Sequence, residues 1–363
     1  MRSYKGKVFV LMVVLVGFGA MCGLAGGGLG TAKESRAEAL ELLDNFAKTH
    51  EVFKSFTAKT EVLTQFTVKS LSPRFPTSQQ ERHRNIDFRF DQENKRTNRR
   101  TYQYGDLPAA TPTVPKDNPQ YTSSLKNQKI SRWYGRADIT SDPGRITLVT
   151  DYQDAQKETM QSLSRGFKGH EAFGYLYGHD ERIDEILRDT NKIRVRRRMQ
   201  KVGDYNCYVI EATTHKGKYT LWIDPEHGYN LAKAKCLITK GNSLYETTAK
   251  KGERYYTSLD NVKFEQVDGT WVPFGAEIVY DWKVPGKYKY RETIQFKAKE
   301  YQLNPDHDAL RSFDSDDIQN GAKVTIIDET GVSDITYYWQ YGKVVDKNGR
   351  EVDLDKLKVK KRK

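Results

Sequence analysis

The sequence is poor in the residues that most often carry catalysis. Its 363 residues include 7 histidines and 3 cysteines. It contains neither the Gly-x-Ser-x-Gly pattern of serine hydrolases nor the His-Glu-x-x-His pattern of zinc peptidases. These absences argue against an enzyme, with a hydrolase as the least favoured function, and we expect neither a metal nor another cofactor.

Long apolar runs are scarce as well. The run from Val8 to Met21 follows a basic start and is shorter than the roughly 20 residues that cross a bilayer as a helix. This arrangement is typical of a signal peptide, which we predict over 1–25. Met21 is a poor match to the small residue expected before a lipidated cysteine. We therefore predict export to the periplasm, with anchoring by a lipidated Cys22 or by an uncleaved signal as the alternative.

The two remaining cysteines lie on strands that the sequence pattern separates. "YNCYVIEA", "KYTLWI" and "LAKAKCLI" are typical of three successive strands, with Cys207 on the first and Cys236 on the third. Two inter-strand spacings amount to about 9.6 Å, which exceeds the roughly 7 Å that a disulfide spans between α-carbons. If the three strands are adjacent in this order, the pair stays unbridged.

Helical periodicity is confined to a few segments. Ser35 and Glu38 form a capping-box pattern at the start of a predicted helix. Two later helices are predicted over 154–166 and 180–189, and a proline-rich loop over 106–120. The apolar residues that recur on one side of the first helix are Ala39, Leu43, Phe46 and Phe53.

After the first helix the hydrophobic period changes to two, which predicts strands with one apolar and one solvated face. Many such strands joined by tight turns predict a mainly β fold with a few helices, in which a large curved antiparallel sheet is covered on its concave face. The alternating apolar residues are Phe56, Ala58, Val62, Phe66 and Val68; Ile86, Phe88, Phe90, Tyr102 and Tyr104; Ile193 and Val195; Phe274, Ala276, Ile278, Tyr280 and Trp282; and Ile294, Phe296 and Ala298.

Arg197 follows one of these strands and has the same parity as its inward residues. By this parity its side chain would point into the fold. A twist or bulge that turns the whole basic stretch 194–198 toward solvent is the alternative interpretation.

Two carboxylates and an imidazole lie close together in "IDPEHGY". Asp224, Glu226 and His227 could form a metal site or an acid–base pair, but no second cluster of ligands in the sequence is paired with them. Asp followed by Pro, with Gly228 at the end, is typical of a turn between two strands. We predict a structural hairpin turn whose Glu226 and His227 side chains point toward water.

A family resemblance rests on this same region. "CYVIEATTHKGKYTLWIDPEHGYNLAKAK" and the later "VKFEQVDGTWVPFGAEIVY" resemble the LolA-like superfamily of outer-membrane lipoprotein-sorting carriers, and "FKSFTAKTEVLTQF" is similar to that group's start. The match covers about 37–303. The resemblance implies an unclosed half-barrel with helices filling the concave face and a cavity for lipoprotein acyl chains or another apolar lipid ligand.

The resemblance also suggests a division of the chain. We predict a signal peptide at 1–25, a half-barrel domain at 31–304, an extension at 305–350 that forms a β-hairpin or small β-module, and a basic tail at 351–363. The loop 106–120 and everything beyond 304 are additions to the family pattern.

Two groups of residues would form the ligand site. They could equally form an ordinary core between sheet and helices, without any cavity. The predicted cavity wall consists of Phe56, Val62, Phe66, Ile86, Phe88, Phe90, Ile278, Tyr280 and Ile294, and the predicted lid of Phe46, Ile183, Ile186 and Leu187.

The formal net charge of +12 bears on partners. In an exported protein it favours an anionic membrane surface or envelope polymer, although solubility alone would also explain it. We expect a monomer. We do not expect a nucleic-acid partner, because the phenylalanines fall on the apolar side of strands. The alternative function is an envelope sensor or scaffold that uses the same fold to bind a partner protein.

Overall fold

The computed structural model describes most of the predicted half-barrel and its extension. The predicted signal peptide with Cys22, the helix over 154–166, part of the loop 106–120 and most of the basic tail lie outside the described residues. The described ranges are 32–70, 77–106, 113–127, 130–150, 167, 169–176, 181–244, 247–328, 331–333 and 335–354.

Strands dominate the described residues. The helices are α1 (Ala32–His50), the 3-10 helices Glu51–Lys54 and His170–Phe173, and α2 (Ile183–Arg188). The strands are β1 (Ser55–Ser70), β2 (Ser78–Asp91), β3 (Arg96–Gly105), β4 (Gln120–Lys126), β5 (Ser131–Arg136), β6 (Arg145–Val149), β7 (Ile193–Val195), β8 (Gln200–Val202), β9 (Tyr205–Thr213), β10 (Lys218–Asp224), β11 (Asn230–Thr239), β12 (Ser243–Leu244), β13 (Thr247–Thr248), β14 (Arg254–Val267), β15 (Thr270–Val284), β16 (Tyr288–Leu303), β17 (Lys323–Asp328), β18 (Gly331–Val332), β19 (Tyr337–Gln340) and β20 (Lys343–Val345).

One large sheet organises these strands. Its antiparallel part runs β6–β5–β4–β3–β2–β1–β16–β15–β14–β11–β10–β9. The short strands β7 and β8 both pair with β9 at one end, and within the described residues the two ends do not pair with each other. The predicted fold class, a mainly β half-barrel that does not close, is confirmed.

The chain beyond β16 extends this sheet at its other end. Strand β17 lies parallel to β6, so the sheet is mixed rather than wholly antiparallel. β19 pairs with β17 and forms a hairpin with β20. A second buried cluster, which includes Tyr134, Ile146, Val324 and Trp339, packs this part against β4 to β6. The domain boundary between 304 and 305 stays a prediction.

The first helix begins earlier than its capping pattern indicates. The helix α1 starts at Ala32, so Ser35 lies inside it and the predicted capping box is wrong. The Ser35 hydroxyl accepts a hydrogen bond from the Val195 amide at 3.0 Å and lies 3.3 Å from the Val195 carbonyl oxygen. A tertiary partner on the edge strand β7 has replaced the local cap, because the edge offers unpaired backbone groups. None of the described helices is long and apolar enough to cross a membrane.

The three strands around the cysteines have the predicted order. β10 lies between β9 and β11, so the predicted meander is confirmed. Cys207 packs on the convex face with Val209 and Trp222, whereas Cys236 belongs to the core on the concave face. Both cysteines are free and buried. The intervening strand β10 therefore separates the two thiols, and the alternation of side chains also places them on opposite faces of the sheet.

The structure differs from the predicted strand faces at β3, and it decides between the two interpretations of Arg197. Tyr102 pairs with exposed Asn85, so Tyr102 and Tyr104 face the convex side and the prediction that they continue the apolar face is wrong. Thr101 instead faces inward beside Ile86. The strand β7 ends at Val195 and Arg197 is exposed, which selects the outward interpretation of the basic stretch.

A buried ionic network attaches the extension to the sheet. The Asp317 carboxylate accepts hydrogen bonds from the Tyr121 and Ser123 hydroxyls, at 2.9 and 2.5 Å, and from Arg132 at 3.3 Å. The side chains of Arg132 and Asp317 are 2% and 5% exposed. Burial opposes the ionisation of Asp317, but Arg132, Ser123 and Arg100 more than offset it and lower the pKa of this carboxyl below its ordinary value.

We expect Asp317→Ala to lower the free energy of unfolding by about 3 kcal/mol, because it leaves the Arg132 guanidinium buried without its counter-charge. Asp316→Ala is the matched control. Its carboxylate also contacts Arg100 but is half exposed, so it should cost less than about 1 kcal/mol. Urea unfolding measures both, and equal losses would show that the network does not anchor the extension.

Candidate functional site

The concave face of the sheet carries a continuous apolar core, which we call the concave core. Phe56 of β1 lies at its centre and is fully buried. Its ring centroid lies 5.8 Å from that of Phe88 and 5.6 Å from that of Phe90, both on β2. Because β1 pairs with β2 in register, side chains of the same parity meet on this face.

The cover over this face comes from α1 and from the described residues 167, 169–176 and 181–188. Phe167 and Phe173 place their ring centroids 5.9 and 6.3 Å from that of Phe56. The predicted lid residues Phe46, Ile183, Ile186 and Leu187 are all buried in the same core. The structure thus brings predicted wall and predicted lid into direct contact. Whether they hold a ligand between them stays a prediction.

The remaining predicted wall residues divide into two groups. Val62, Ile86, Ile278, Tyr280 and Ile294 are buried in the concave core. Phe66 lies farther along β1, outside that core, and is half-buried. The Arg82 guanidinium stacks over the Phe66 ring at 4.6 Å from its centroid. The apolar wall therefore ends before Phe66, where the concave face becomes mixed.

A carboxylate of the cover points into the concave core. Glu171, in the 3-10 helix His170–Phe173, is 1% exposed. One carboxylate oxygen accepts the Tyr280 hydroxyl hydrogen bond and lies 3.3 Å from His170 Nε2. The other oxygen, Oε2, has no hydrogen-bond partner among the described residues. A buried polar atom without a partner costs about 1–3 kcal/mol.

A histidine at the end of α1 also has a buried polar atom without a hydrogen-bond partner among the described residues. His50 is buried against Phe46, Phe53 and Phe173, with ring centroids 4.1, 5.3 and 6.0 Å away. In the described part of the chain its Nε2 atom has no partner. Burial, helped by the nearby Arg182 charge, lowers the pKa of His50 well below its ordinary value, so the ring is neutral.

The segment 167–176 was missed by the sequence predictions. Gly169 and Gly174 adopt φ values of 106° and 87°, which glycine tolerates best, and they bracket the short 3-10 helix. An added Cβ at Gly169 would lie 2.8 Å from the Phe296 ring. Two glycines that frame aromatic residues are the signal in the sequence that indicates a tight buried turn here.

Two large grooves lie outside the concave core. One of about 590 Å³ is lined mainly by polar side chains of β1, β2 and β14 to β16, together with Val62 and Phe296. Another of about 1360 Å³ runs between the start of α1 and β7, β9 and β10, and contains Arg197. Both linings include several charged side chains, such as Lys263 and Glu277 in the first groove and Arg194 and Glu211 in the second, so they suit an acyl chain less well than the concave core does.

The turn at Asp224 is confirmed, but its environment differs from the prediction. Gly228 and Tyr229 adopt the left-handed conformation, with φ of 69° and 59°. Asp224 is fully buried, and its carboxylate accepts hydrogen bonds from His227 Nδ1 at 2.6 Å and from the Glu226 amide at 3.0 Å. Only Glu226 points to water. The prediction that His227 does so is wrong.

Aromatic residues of neighbouring strands explain the position of His227. Its ring centroid lies 4.5 Å from that of Trp271, 4.9 Å from that of Tyr205 and 5.3 Å from that of Phe264. These contacts come from strands distant in sequence, so a local turn pattern does not indicate them. The Asp–His pair and these rings hold the turn in place.

Comparison with known proteins adds similarities of fold. No family model and no curated protein sequence matches the chain. Among solved structures, a LolA superfamily protein from Nitrosomonas europaea is similar at a TM-score of 0.30 and 14% identity, over 77% of this chain and 98% of that chain. Lipovitellin is similar at 0.30 and 7%, over 69% of this chain and 26% of that one.

The MucA/MucB complex of Pseudomonas aeruginosa also matches, at a TM-score of 0.21 and 8% identity over 76% of this chain and 96% of that chain. The predicted resemblance to the LolA-like superfamily is confirmed as a structural similarity. At these scores no ligand, partner or activity passes from those proteins to this chain.

We expect His227→Ala to lower the free energy of unfolding by about 1–3 kcal/mol, since it removes the hydrogen-bond partner of the buried Asp224 Oδ2 atom and leaves only the Glu226 amide on the other oxygen. Glu226→Ala, on the exposed side of the same turn, should stay within about 0.5 kcal/mol. Thermal unfolding of the two variants tests this. A His227→Ala protein as stable as the wild type would place the imidazole outside the packed turn.

Proposed function

We propose that the chain is a carrier or binding protein for lipoprotein acyl chains or another apolar lipid ligand, which it holds between the curved sheet and its cover. It would act as an exported protein of the periplasm, by binding and not by catalysis. The observation that carries this proposal is that the cover meets the apolar face through an interface containing buried polar atoms without partners. A cover of this kind is poorly suited to permanent closure.

The concave core offers the right chemistry for an acyl chain. The inner faces of β1, β2, β15 and β16 present buried apolar side chains such as Phe56, Phe88 and Ile278. Each methylene that such a surface removes from water contributes about 0.8 kcal/mol. A chain of several methylenes could therefore replace the apolar contacts that the cover now makes.

Apart from α1, which has 19 residues, the cover is built from short elements. α2 has 6 residues and the 3-10 helix before it has 4. Helices of this length do not persist alone in water, so they depend on packing against the sheet. A ligand that competes for the same apolar face would release them without breaking any strand pairing of the sheet.

The unpaired polar atoms weaken the closed arrangement. Glu171 Oε2 and His50 Nε2 lie on the cover and have no partner among the described residues. At about 1–3 kcal/mol each, they offset part of the apolar contact energy that keeps the cover closed. Opening would return both atoms to water, which favours exchange between a closed free state and an open, ligand-bound state.

Titration with a fluorescent fatty acid tests the proposal directly. We expect saturable binding at one site and displacement of the probe by unlabelled fatty acid. The alternative function, binding of an envelope protein partner, predicts a stable complex in pull-downs from envelope extracts and no saturable uptake of any acyl ligand. That second outcome would overturn the carrier proposal.

A substitution in the cover gives a sharper prediction. Gly169→Ala should weaken docking of the cover, because the new methyl group meets the buried Phe296 ring and the backbone has φ of 106°. We expect a loss of about 1–3 kcal/mol in stability together with a several-fold gain in fatty-acid affinity, since a larger open fraction binds more tightly.

The matched control for this variant is Gly241→Ala. Gly241 also has positive φ, 89°, but an added Cβ would meet nothing within 4 Å. It should share the backbone strain without changing affinity. If Gly169→Ala lost stability and gained no affinity in calorimetric titration, the cover would be a permanent part of the core.

A further inference from the structure

The concave face changes character abruptly along β2. Ile86, Phe88 and Phe90 point into the concave core, and the next two residues of the same parity are Arg84 and Arg82. Their partners across β1 are Val62 and Thr64. Because alternate residues of a strand share a face, both arginines extend the wall on the ligand side of the sheet.

Arg84 has more donors than its neighbours use. Its Nε donates to Gln103 Oε1 at 2.7 Å, and its Nη1 lies 3.4 Å from Thr64 Oγ1. A guanidinium has five N–H donors, so among the described residues these two neutral contacts leave most of them available. Arg84 is half-buried at the edge of the concave core.

Arg82 is held over an aromatic ring beside it. Its Nη2 donates to Gln80 Oε1 at 2.7 Å and its Nε to the Asp106 carbonyl oxygen at 3.1 Å. The guanidinium stacks on Phe66. These contacts fix the orientation of the group but do not neutralise its charge.

No carboxylate in the described part of the chain forms an ion pair with either arginine. Glu292, two strands away across β1, adds a favourable charge, but its carboxylate already accepts the Tyr290 hydroxyl at 2.7 Å. Burial first, and then the neighbouring Arg82 charge, lower the pKa of Arg84 to about 10, so it remains a cation at neutral pH. Arg99 of β3 adds a third positive charge nearby.

Aromatic side chains connect this charge to the concave core. Tyr290 lies with its ring centroid 6.3 Å from that of Phe66 and 4.5 Å from that of Trp282. Trp282 in turn lies 5.9 Å from the buried Tyr280. On β2 the two arginines follow Ile86 directly, so an amphiphile would meet the cations where the concave core ends, with these aromatic rings flanking them; this is the order of its own chain and headgroup.

We propose that Arg84 and Arg82 bind the oxyanion, carboxylate or phosphate, of an amphiphile whose acyl chain lies in the concave core. This inference rests on the proposed function and assigns its ligand class: anionic amphiphiles in preference to neutral ones. Arginine suits the role because its planar fork can pair with a carboxylate or phosphate through two parallel hydrogen bonds. Both cations are half-buried and hydrogen-bond to neutral acceptors in the described structure. An anionic headgroup would therefore stabilise them more than a neutral one would.

The test compares a fatty acid that carries a fluorophore at its methyl end with the methyl ester of the same compound, both at neutral pH. We expect the wild type to bind the acid at least about tenfold more tightly than the ester, since hydrogen bonds to a charged group are the stronger ones. Arg84→Gln should remove that preference, because it weakens the binding of the acid and leaves the binding of the ester unchanged. Arg82→Gln should reduce it in the same direction.

The matched control is Arg291→Gln. Arg291 lies next to Glu292 in the sequence, but it points to the convex face and its side chain is 65% exposed. It should leave both affinities unchanged. Thermal unfolding of free Arg84→Gln should match or exceed the wild type, because a half-buried charge without a counter-charge is removed. Reduced stability with weaker binding of both probes would show a structural role and overturn the proposal.

The remaining outcomes separate the two proposals. Equal binding of acid and ester by the wild type, with no effect of Arg84→Gln, would overturn the arginine site and leave the carrier function standing. Failure of both probes to bind would overturn the carrier function and this inference with it. Inorganic phosphate serves as competitor. Displacement of the acid by phosphate alone, at matched concentration, would assign the arginines to a free oxyanion and overturn the headgroup assignment.

Discussion

The constraint on which the rest of the structure depends is the apolar concave face shared by β1, β2 and β16. β1 and β16 each have 16 residues and pair along almost their whole length. A sheet that does not close cannot bury that face against itself. Other parts of the chain must therefore remove the face from water, at about 25 cal/mol for each Å² of apolar surface. The helix α1 and the rest of the described cover are the consequence of this requirement.

The same cover brings polar groups into an apolar place. Glu171 and His50 could each be replaced by an apolar residue in a core that only had to be stable. Their presence, with one unpaired atom each in the described structure, opposes closure and leaves the cover less firmly docked than the strands beneath it. The sheet therefore has two kinds of stability. Its hydrogen-bonded ladder is permanent, whereas the packing on its concave face is suited to exchange.

Charge is distributed along the concave face in one direction. Phe90, Phe88 and Ile86 lie at one end of the inner face of β2, and Arg84 and Arg82 follow them directly, with Tyr290 and Trp282 farther along the same face. The extension fulfils a different need. β17 covers the edge of β6, which would otherwise present unpaired backbone groups, and Asp317 fixes it there through Arg132. The ionic network lies on the side of the second buried cluster, whereas His307 of the extension contacts the Phe90 carbonyl oxygen at the end of the concave core, at 3.1 Å.

The sequence by itself determined the strand faces around Phe56 and Phe88, the order of the three strands around the cysteines and the mainly β class with one large sheet, whereas the half-barrel was implied by the family resemblance. The first three follow from alternation and turn residues, which are local in the chain. Only the tertiary structure decided that Ser35 bonds to β7, that His227 packs among Trp271, Tyr205 and Phe264, and that Tyr102 faces outward. Each of these depends on strand register between distant segments, and a shift by one residue reverses every face. The arginines of the concave face belong to the same group: a basic residue at an alternating position predicts a solvated side, and only the pairing with Val62 and Thr64 places Arg84 and Arg82 inside.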